Sequence, residues 1–231
     1  QLVNTPYDEL HPVVSPDGKM LYLTIANHAG NSGGKKDQGD IWYSTLIENN
    51  QWSAPQHAGS AINDASYNAV AGFSSDGSLM FLLSHYDVSG SVARTQGISM
   101  NRAGILSGYI LPDQSVFVYA AETYGTRGVE DIYVTTKGPN GKWSEPRNLG
   151  NTINTAFQEL SPSLSADGKT LFFSSNGRKG LGSFDIYSSV RLDDTWTNWT
   201  TPVNMGAGYN TEGRELSYRV YQSTGVSVFT S

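Results

Sequence analysis

Short apolar runs, separated by Gly, Pro, Asn and Asp, recur along the whole chain. Runs of four to eight residues bounded by such turn formers predict β-strands. Two of them, "KMLYLTI" at 19–25 and "KTLFFSS" at 169–175, contain consecutive apolar residues in place of strict alternation. Both faces of these strands should therefore be covered by protein. No long stretch has the apolar spacing of an amphipathic helix, so the pattern predicts an all-β fold.

The pattern is also a repeat. The stretch "SADGKTLFFSSNGRKGLGSFDIY" at 165–187 has relatives at 15–43, 74–100 and 111–133, and a vaguer copy, "STGVSVFTS", ends the chain. With the residues upstream of each copy, five units begin near residues 7, 67, 107, 157 and 213. We call them repeats one to five. Self-similarity at a fixed period indicates a repeat architecture.

Each repeat reads as four strands. Asp-Gly joins the first two strands, the third begins at Asp-Ile-Trp/Tyr, and the fourth begins at the Trp of a Trp-x-x-Pro motif. Four-stranded antiparallel sheets at this period predict a single β-propeller domain over 1–231. Five blades give the simplest closure, with the N-terminal segment completing the last sheet; six or seven fit if more sequence follows. A two-sheet sandwich is the alternative, but a sandwich does not require repeated sequence.

The second repeat is too short. Asp17 and Asp76 are 59 residues apart and Asp113 and Asp167 are 54 apart, whereas Asp76 and Asp113 are only 37 apart. The Trp-x-x-Pro motif is what the second repeat lacks, and its loss would leave an open sheet edge. We therefore expect the natural protein to contain further residues near Met100 and Asn101.

Composition and charge narrow the function. Thirteen Tyr, eight Phe and five Trp suit strands, and 25 Gly suit turns. A net charge of −6 without a basic cluster argues against nucleic-acid binding. The absence of cysteine excludes disulfides and thiol chemistry within this sequence. No apolar run approaches 18 residues, so no membrane span is predicted.

The recurring acidic residues are better explained by architecture than by catalysis. Asp17, Asp76 and Asp167 precede Gly between strands, which is typical of tight turns. A carboxylate just before the third strand (Asp40, Asp131, Asp185) is expected to accept backbone or hydroxyl hydrogen bonds. Glutamates that open three repeats could form a cation-binding ring or have structural partners: Glu9, Glu159 and Glu215.

No other residue pattern points to chemistry. The four histidines share no metal-ligand spacing, and no Gly-x-Ser-x-Gly elbow occurs. We expect no catalytic, cofactor-binding or metal-binding residues, and hence a protein that is not an enzyme.

The loops joining the second and third strands are the candidate functional segments. They differ in length and sequence although the strands beside them agree, which is typical of contact loops on a rigid scaffold. Each carries Lys or Arg, giving this face local positive charge; the alternative is that the loops are merely solvated. The candidate partner-binding residues are Asn27, His28, Lys35, Lys36, Arg94, Arg127, Arg178 and Lys179.

The strings "SPDGKMLYLT", "SADGKTLFFSS", "GDIWY" and "FDIY" resemble the PD40 family, the WD40-like propeller repeat also found in TolB. The longer string at 148–187 is similar to the form found in envelope proteins of Bacteroidota. That resemblance implies a propeller in the periplasm, associated with the outer membrane. It also implies a non-enzymatic role in binding a larger envelope protein or outer-membrane complex, such as a plug or accessory subunit of the type 9 secretion translocon. The alternative function is binding of glycan or peptidoglycan.

Overall fold

The computed structural model describes residues 3–48, 51–84, 105–123, 125–221 and 226–231. Arg94 and the predicted gap at Met100 and Asn101 lie outside these ranges. The described chain is all-β, as predicted, apart from one 3-10 turn at Gly34–Lys36. It forms two compact units, Gln1–Thr95 and Gln96–Ser231. Propeller closure, blade number and the single domain stay predictions.

The first unit holds repeats one and two. Repeat one is an antiparallel sheet in which β1, β2 and β3 pair in chain order and both short strands pair with β3. Its strands are β1 (Glu9–Val14), β2 (Met20–Ile25), β3 (Asp40–Ile47), β4 (Gln51–Trp52) and β5 (Gln56–His57). Repeat two contributes a hairpin of β6 (Asn68–Phe73) and β7 (Met80–Ser84).

The second unit holds repeats three, four and five. Repeats three and four are four-stranded sheets paired in chain order, and repeat five is a hairpin. Repeat three has β8 (Ile105–Ile110), β9 (Val116–Ala121), β10 (Asp131–Thr136) and β11 (Arg147–Asn148). Repeat four has β12 (Glu159–Leu164), β13 (Thr170–Ser175), β14 (Asp185–Val190) and β15 (Val203–Asn204). Repeat five has β16 (Leu216–Tyr221) and β17 (Val226–Thr230).

The Asp-Gly turns between first and second strands are confirmed. In repeat one, Asp17 Oδ1 accepts hydrogen bonds from Ser15 Oγ and the Lys19 amide, and Gly18 has a φ of 72°. Positive φ is the reason for glycine at this position. Repeat three has Gln114 instead, and its φ is also positive at 61°. The turn geometry therefore survives the loss of its usual residue.

The fourth strand is shorter than predicted and does not always begin at the Trp. In repeats three and four, Trp143 and Trp199 make only isolated bridges, and the paired strand follows the next proline. Proline has no N–H to donate, so it interrupts the ladder between the two contacts. In repeat one Trp52 lies in β4, and Pro55 separates β4 from β5.

Within each unit, neighbouring repeats are joined through their backbones at the end of the second-to-third loop of repeats one, three and four. The Glu159 amide donates to the Glu130 carbonyl over 2.9 Å, and the Val129 amide donates to the Phe157 carbonyl over 3.0 Å. Repeats four and five repeat both contacts, from Glu215 to Phe184 and from Ser183 to Gly213. In the first unit Asn68 donates to Gly39. These contacts set the loops of one repeat against the start of the next.

The core lies between the sheets of each unit. The second unit has a cluster that includes Leu149, Ile153, Phe173 and Trp199. In the first unit Val13, Ile41, Val70 and Leu82 form the corresponding cluster. Across the described ranges there is no helix long and apolar enough to cross a membrane.

Candidate docking loops

A buried carboxylate holds the second-to-third loop in repeats one, three and four. In repeat four, Asp185 is 1% exposed; Oδ2 accepts the Leu181 amide at 2.6 Å and Oδ1 accepts the Gly182 amide at 2.8 Å. Asn204 on β15 donates to Oδ2 over 2.6 Å. Asp131 in repeat three has the same three contacts, with Arg127, Gly128 and Asn148. The predicted structural role of these aspartates is confirmed.

Repeat one has the same carboxylate with different partners. Asp40 Oδ2 accepts the amide and hydroxyl of Ser32, at 2.7 and 2.8 Å, and lies 2.6 Å from His57 Nε2. His57 stands where repeats three and four have Asn. Gly59 donates its amide to His57 Nδ1, so the other ring nitrogen, Nε2, carries the proton shared with Asp40. Asp40 Oδ1 is buried without a hydrogen-bond partner among the described residues.

Recurring asparagines clamp the start of the third strand. Asn154 Oδ1 accepts the Ile132 amide at 2.8 Å, and its Nδ2 donates to the carbonyl of the same residue at 3.0 Å. Asn63 does the same for Ile41, and Asn210 for Ile186. The sequence showed these asparagines as repeated, but their role needs the chain to return to the sheet from 22 or 24 residues away.

The glutamates that open three repeats have protein partners. Glu159 is fully buried and accepts bonds from the Thr155 amide and hydroxyl, Ser175 Oγ and Arg178. Glu9 and Glu215 bind the amide and hydroxyl of the threonine four residues earlier in the same way. The structural alternative is therefore correct for these residues. Within the described ranges, no group of three His, Asp or Glu side chains could hold a metal ion.

The first-repeat candidates divide into exposed and packed residues. Lys35 and Lys36 are exposed in the 3-10 turn, and Asn27 is exposed with a φ of 58°. His28 is half-buried and packs edge-on against Trp42 and Tyr7, with ring centroids 4.4 and 4.6 Å apart. The lysines are therefore the accessible cations of this loop.

The candidates of repeats three and four also divide. Arg127 and Lys179 are exposed. Arg178 binds Glu159 at 3.2 Å and the carbonyls of Thr152 and Ile153, and its guanidinium lies over the Phe173 ring. Burial lowers the pKa of Arg178, and Glu159 opposes that shift. Arg178 thus braces the loop from inside, while Lys179 lies at its surface.

The second-to-third loops of repeats three and four have the same length and are held by the same carboxylate contacts. Nine residues separate β9 from β10 and β13 from β14, whereas 14 separate β2 from β3. The expectation that all loops differ in length is therefore wrong for this pair. Their exposed side chains differ, because Arg127 corresponds to Leu181 and Val129 to Ser183.

An open cleft of about 600 Å³ lies beside the loop of repeat four. Hydroxyl groups, cations and a proline line it: Thr152, Thr155, Arg178, Lys179, Tyr187, Thr201, Pro202 and Asn204. Phe157 adjoins it, because the Phe157 amide donates to Thr155 Oγ1 over 3.1 Å. Sequence reasoning did not find this cleft, since its walls come from three separate segments.

Comparisons with known proteins give structural likeness only. No protein-family model and no curated protein sequence matches the chain. TolB from Acinetobacter baumannii is 17% identical, with a TM-score of 0.46 over 82% of this chain and 42% of its own. A putative TolB from Agrobacterium tumefaciens is 18% identical, with a TM-score of 0.43 over 99% of this chain and 91% of its own.

An enzyme is among the similar structures as well. The periplasmic gluconolactonase PpgL of Pseudomonas aeruginosa is 13% identical, with a TM-score of 0.43 over 96% of this chain and 71% of its own. This chain spans less than half the length of the Acinetobacter TolB.

Proposed function

We propose that the chain is part of a β-propeller that docks a larger protein of the cell envelope through its second-to-third loops. The propeller has five blades and no catalytic role, and it lies in the periplasm at the outer membrane. A plug or accessory subunit of a type 9 secretion translocon is the specific assignment. The PD40-like repeats and the Bacteroidota-like string at 148–187 support the compartment and the system.

One observation carries the docking role. Buried carboxylates fix the loops of repeats three and four in the same backbone geometry, while the exposed residues on that frame change and include Arg127 and Lys179. A rigid loop loses little conformational entropy on binding, and a changed surface on a constant frame suits recognition. A cofactor or metal is not part of this proposal.

Photo-crosslinking in the native envelope tests the docking face. A benzophenone amino acid replaces Lys36, Arg127 or Lys179 in the loops, and Lys19 or Lys142 in turns at the other end of the sheets. We expect one envelope protein to be crosslinked from the loop positions and not from the turns. Equal labelling from both ends, or none from the loops, would contradict the proposal.

Peptidoglycan binding is the second candidate, and the hydroxyl-lined cleft of repeat four favours it. Isothermal titration with soluble muropeptides separates the two functions. Saturable heat that disappears in a Thr152→Val/Thr201→Val variant would support glycan binding. Its absence, together with loop crosslinks to a protein, would support docking.

A further inference from the structure

We propose that the junction of repeats three and four binds an extended partner segment in which an acidic residue lies two positions from a large apolar residue. The proposed site contains an apolar ridge, Val129 and Phe157, and the adjoining cleft with Lys179. This inference rests on the proposed docking function and names the chemistry that the partner presents.

The apolar ridge is exposed and rigidly held. Val129 is 45% exposed and Phe157 is 55% exposed. The Val129 amide donates to the Phe157 carbonyl, so the two residues lie side by side across the junction. Phe157 is further fixed through its amide by Thr155, whose hydroxyl is bound to buried Glu159. An aromatic residue on a preorganised backbone is typical of an interface anchor.

The cation of the cleft is free to pair with a ligand. Lys179 has no ion pair or side-chain hydrogen bond among the described residues, whereas the charge of Arg178 is balanced by Glu159. Arg127, in the same loop as Val129, is a second exposed cation without an ion pair in the described ranges. The hydroxyls of Thr152 and Thr201 add hydrogen-bonding groups around Lys179. The cleft therefore favours a carboxylate.

The two parts are close enough for one short segment. Thr155 lines the cleft and also binds the Phe157 amide, and a Cβ at Gly177 would lie 3.2 Å from Phe157 Cβ. Successive side chains of an extended chain point to opposite faces, but residues two positions apart project from the same face about 6.6 Å apart, so such a pair can reach ridge and cleft together. A ligand that presents an apolar side chain close to a carboxylate matches a protein segment better than a glycan.

Selection of random heptapeptides displayed on phage, against the purified chain, tests the site. The Phe157→Ser/Lys179→Glu double variant serves for counter-selection. We expect enriched peptides to carry Asp or Glu two positions from Phe, Leu, Trp or Ile. Absence of enrichment, or enriched peptides without an acidic excess, would overturn the proposal.

Matched variants then locate the binding. By fluorescence anisotropy, the best acidic peptide should bind Lys179→Glu and Phe157→Ser each about tenfold more weakly than the parent chain. Lys142→Glu makes the same charge change at an exposed turn, and Leu192→Ser removes an apolar residue that is 56% exposed. Both controls should bind like the parent. Equal losses in the controls would place binding elsewhere and refute the site.

Two further arms distinguish this inference from the proposed function. Muropeptides should not displace the acidic peptide, and displacement would assign the cleft to a glycan instead. If crosslinks to an envelope protein from positions 36 and 127 persist in the double variant, the docking function stands and this particular site is wrong. If all loop crosslinks are absent, the docking function itself fails.

Discussion

Repeats one and four fix corresponding loops through different hydrogen-bond partners. Both hold the second-to-third loop with a buried carboxylate at the start of the third strand. In repeat four both oxygens of Asp185 accept loop amides and Asn204 supplies the third bond. In repeat one Asp40 uses a single oxygen, for Ser32 and His57. Both repeats keep the buried carboxylate. The residues of the loop, and the side chain that gives the carboxylate its other hydrogen bond, differ between them.

The largest expected effect comes from the glycine that lets the loop of repeat four approach repeat five. A Cβ at Gly182 would overlap the carbonyl oxygen of Gly213 and crowd Thr211. Gly182→Ala should therefore lower the free energy of unfolding by about 4 kcal/mol.

Chemical denaturation followed by tryptophan fluorescence measures this loss. Gly208→Ala is the control, because a Cβ there meets nothing within 4 Å and its φ is not positive. It should change the free energy of unfolding by less than about 0.5 kcal/mol. Similar behaviour of the two variants would mean that the close contact does not hold the repeats together.

The two carboxylates themselves should respond differently to the same substitution. Asp185→Asn places an NH₂ group against loop amides whichever way the amide is oriented, so about 3 kcal/mol should be lost. Asp40→Asn can direct its NH₂ to the position of the unpartnered Oδ1 and should cost about 1 kcal/mol. Equal losses in thermal unfolding would contradict the difference in hydrogen bonding.

A smaller effect on stability is expected when Asn204 and His57, the side chains that bind the two carboxylates, are exchanged for one another. Asn204 Oδ1 accepts two donors, Gly206 N and Asn210 Nδ2, each at 2.8 Å. A neutral imidazole has one acceptor, so Asn204→His should cost about 2 kcal/mol. His57→Asn gives repeat one a side-chain oxygen that can accept two hydrogen bonds. It should lower the free energy of unfolding by less than about 0.5 kcal/mol. A greater cost for His57→Asn would mean that the histidine is required by its own loop.

The smallest expected effect on stability comes from the aspartates in the hairpin turns of the first unit. Hydrogen bonds from Ser74, and then from Ser78, lower the pKa of Asp76 to about 2. Because its folded-state pKa is depressed, the stabilisation from this carboxylate is present above the ordinary pKa of 3.8 and is lost as the pH falls through about 2. NMR titration should find this midpoint.

The corresponding turn of repeat one tests whether the serine hydroxyl lowers the pKa of the aspartate. Asp17 has a lowered pKa through Ser15, but its second donor is only the amide of Lys19. Asp76 also accepts the Ser78 hydroxyl. Ser78→Lys should therefore raise the midpoint of Asp76, while Lys19→Ser should lower that of Asp17. Unchanged midpoints would show that the hydroxyl does not set the pKa.

Much of the fold followed from short-range pattern. Apolar runs, Asp-Gly turns and the recurring Asp-Ile-Trp/Tyr placed the long strands and the hairpins, because these depend on neighbouring residues. The fourth strand was misplaced, since the consequence of Pro146 and Pro202 for the ladder depends on which residue of β10 or β14 lies opposite. The tethering role of Asp131 and Asp185 was anticipated from repetition alone.

The candidate site was only partly predictable. The cations were visible in the sequence, but Arg178 and Lys179 are adjacent and have opposite roles, one inside the loop and one at its surface. Phe157 was not among the predicted site residues, yet it is exposed at the junction.

The sequence by itself determined the repeats, the all-β class and the loop carboxylates of repeats one, three and four, because all three are recorded in local spacing. Tertiary structure decided which partners those carboxylates have, which cations reach solvent and where a cleft opens. These depend on segments that meet across the sheet, such as Asn210 returning to Ile186, and on the packing of one repeat against the next. Local spacing has no information about such distant contacts, because their geometry exists only once the chain has folded.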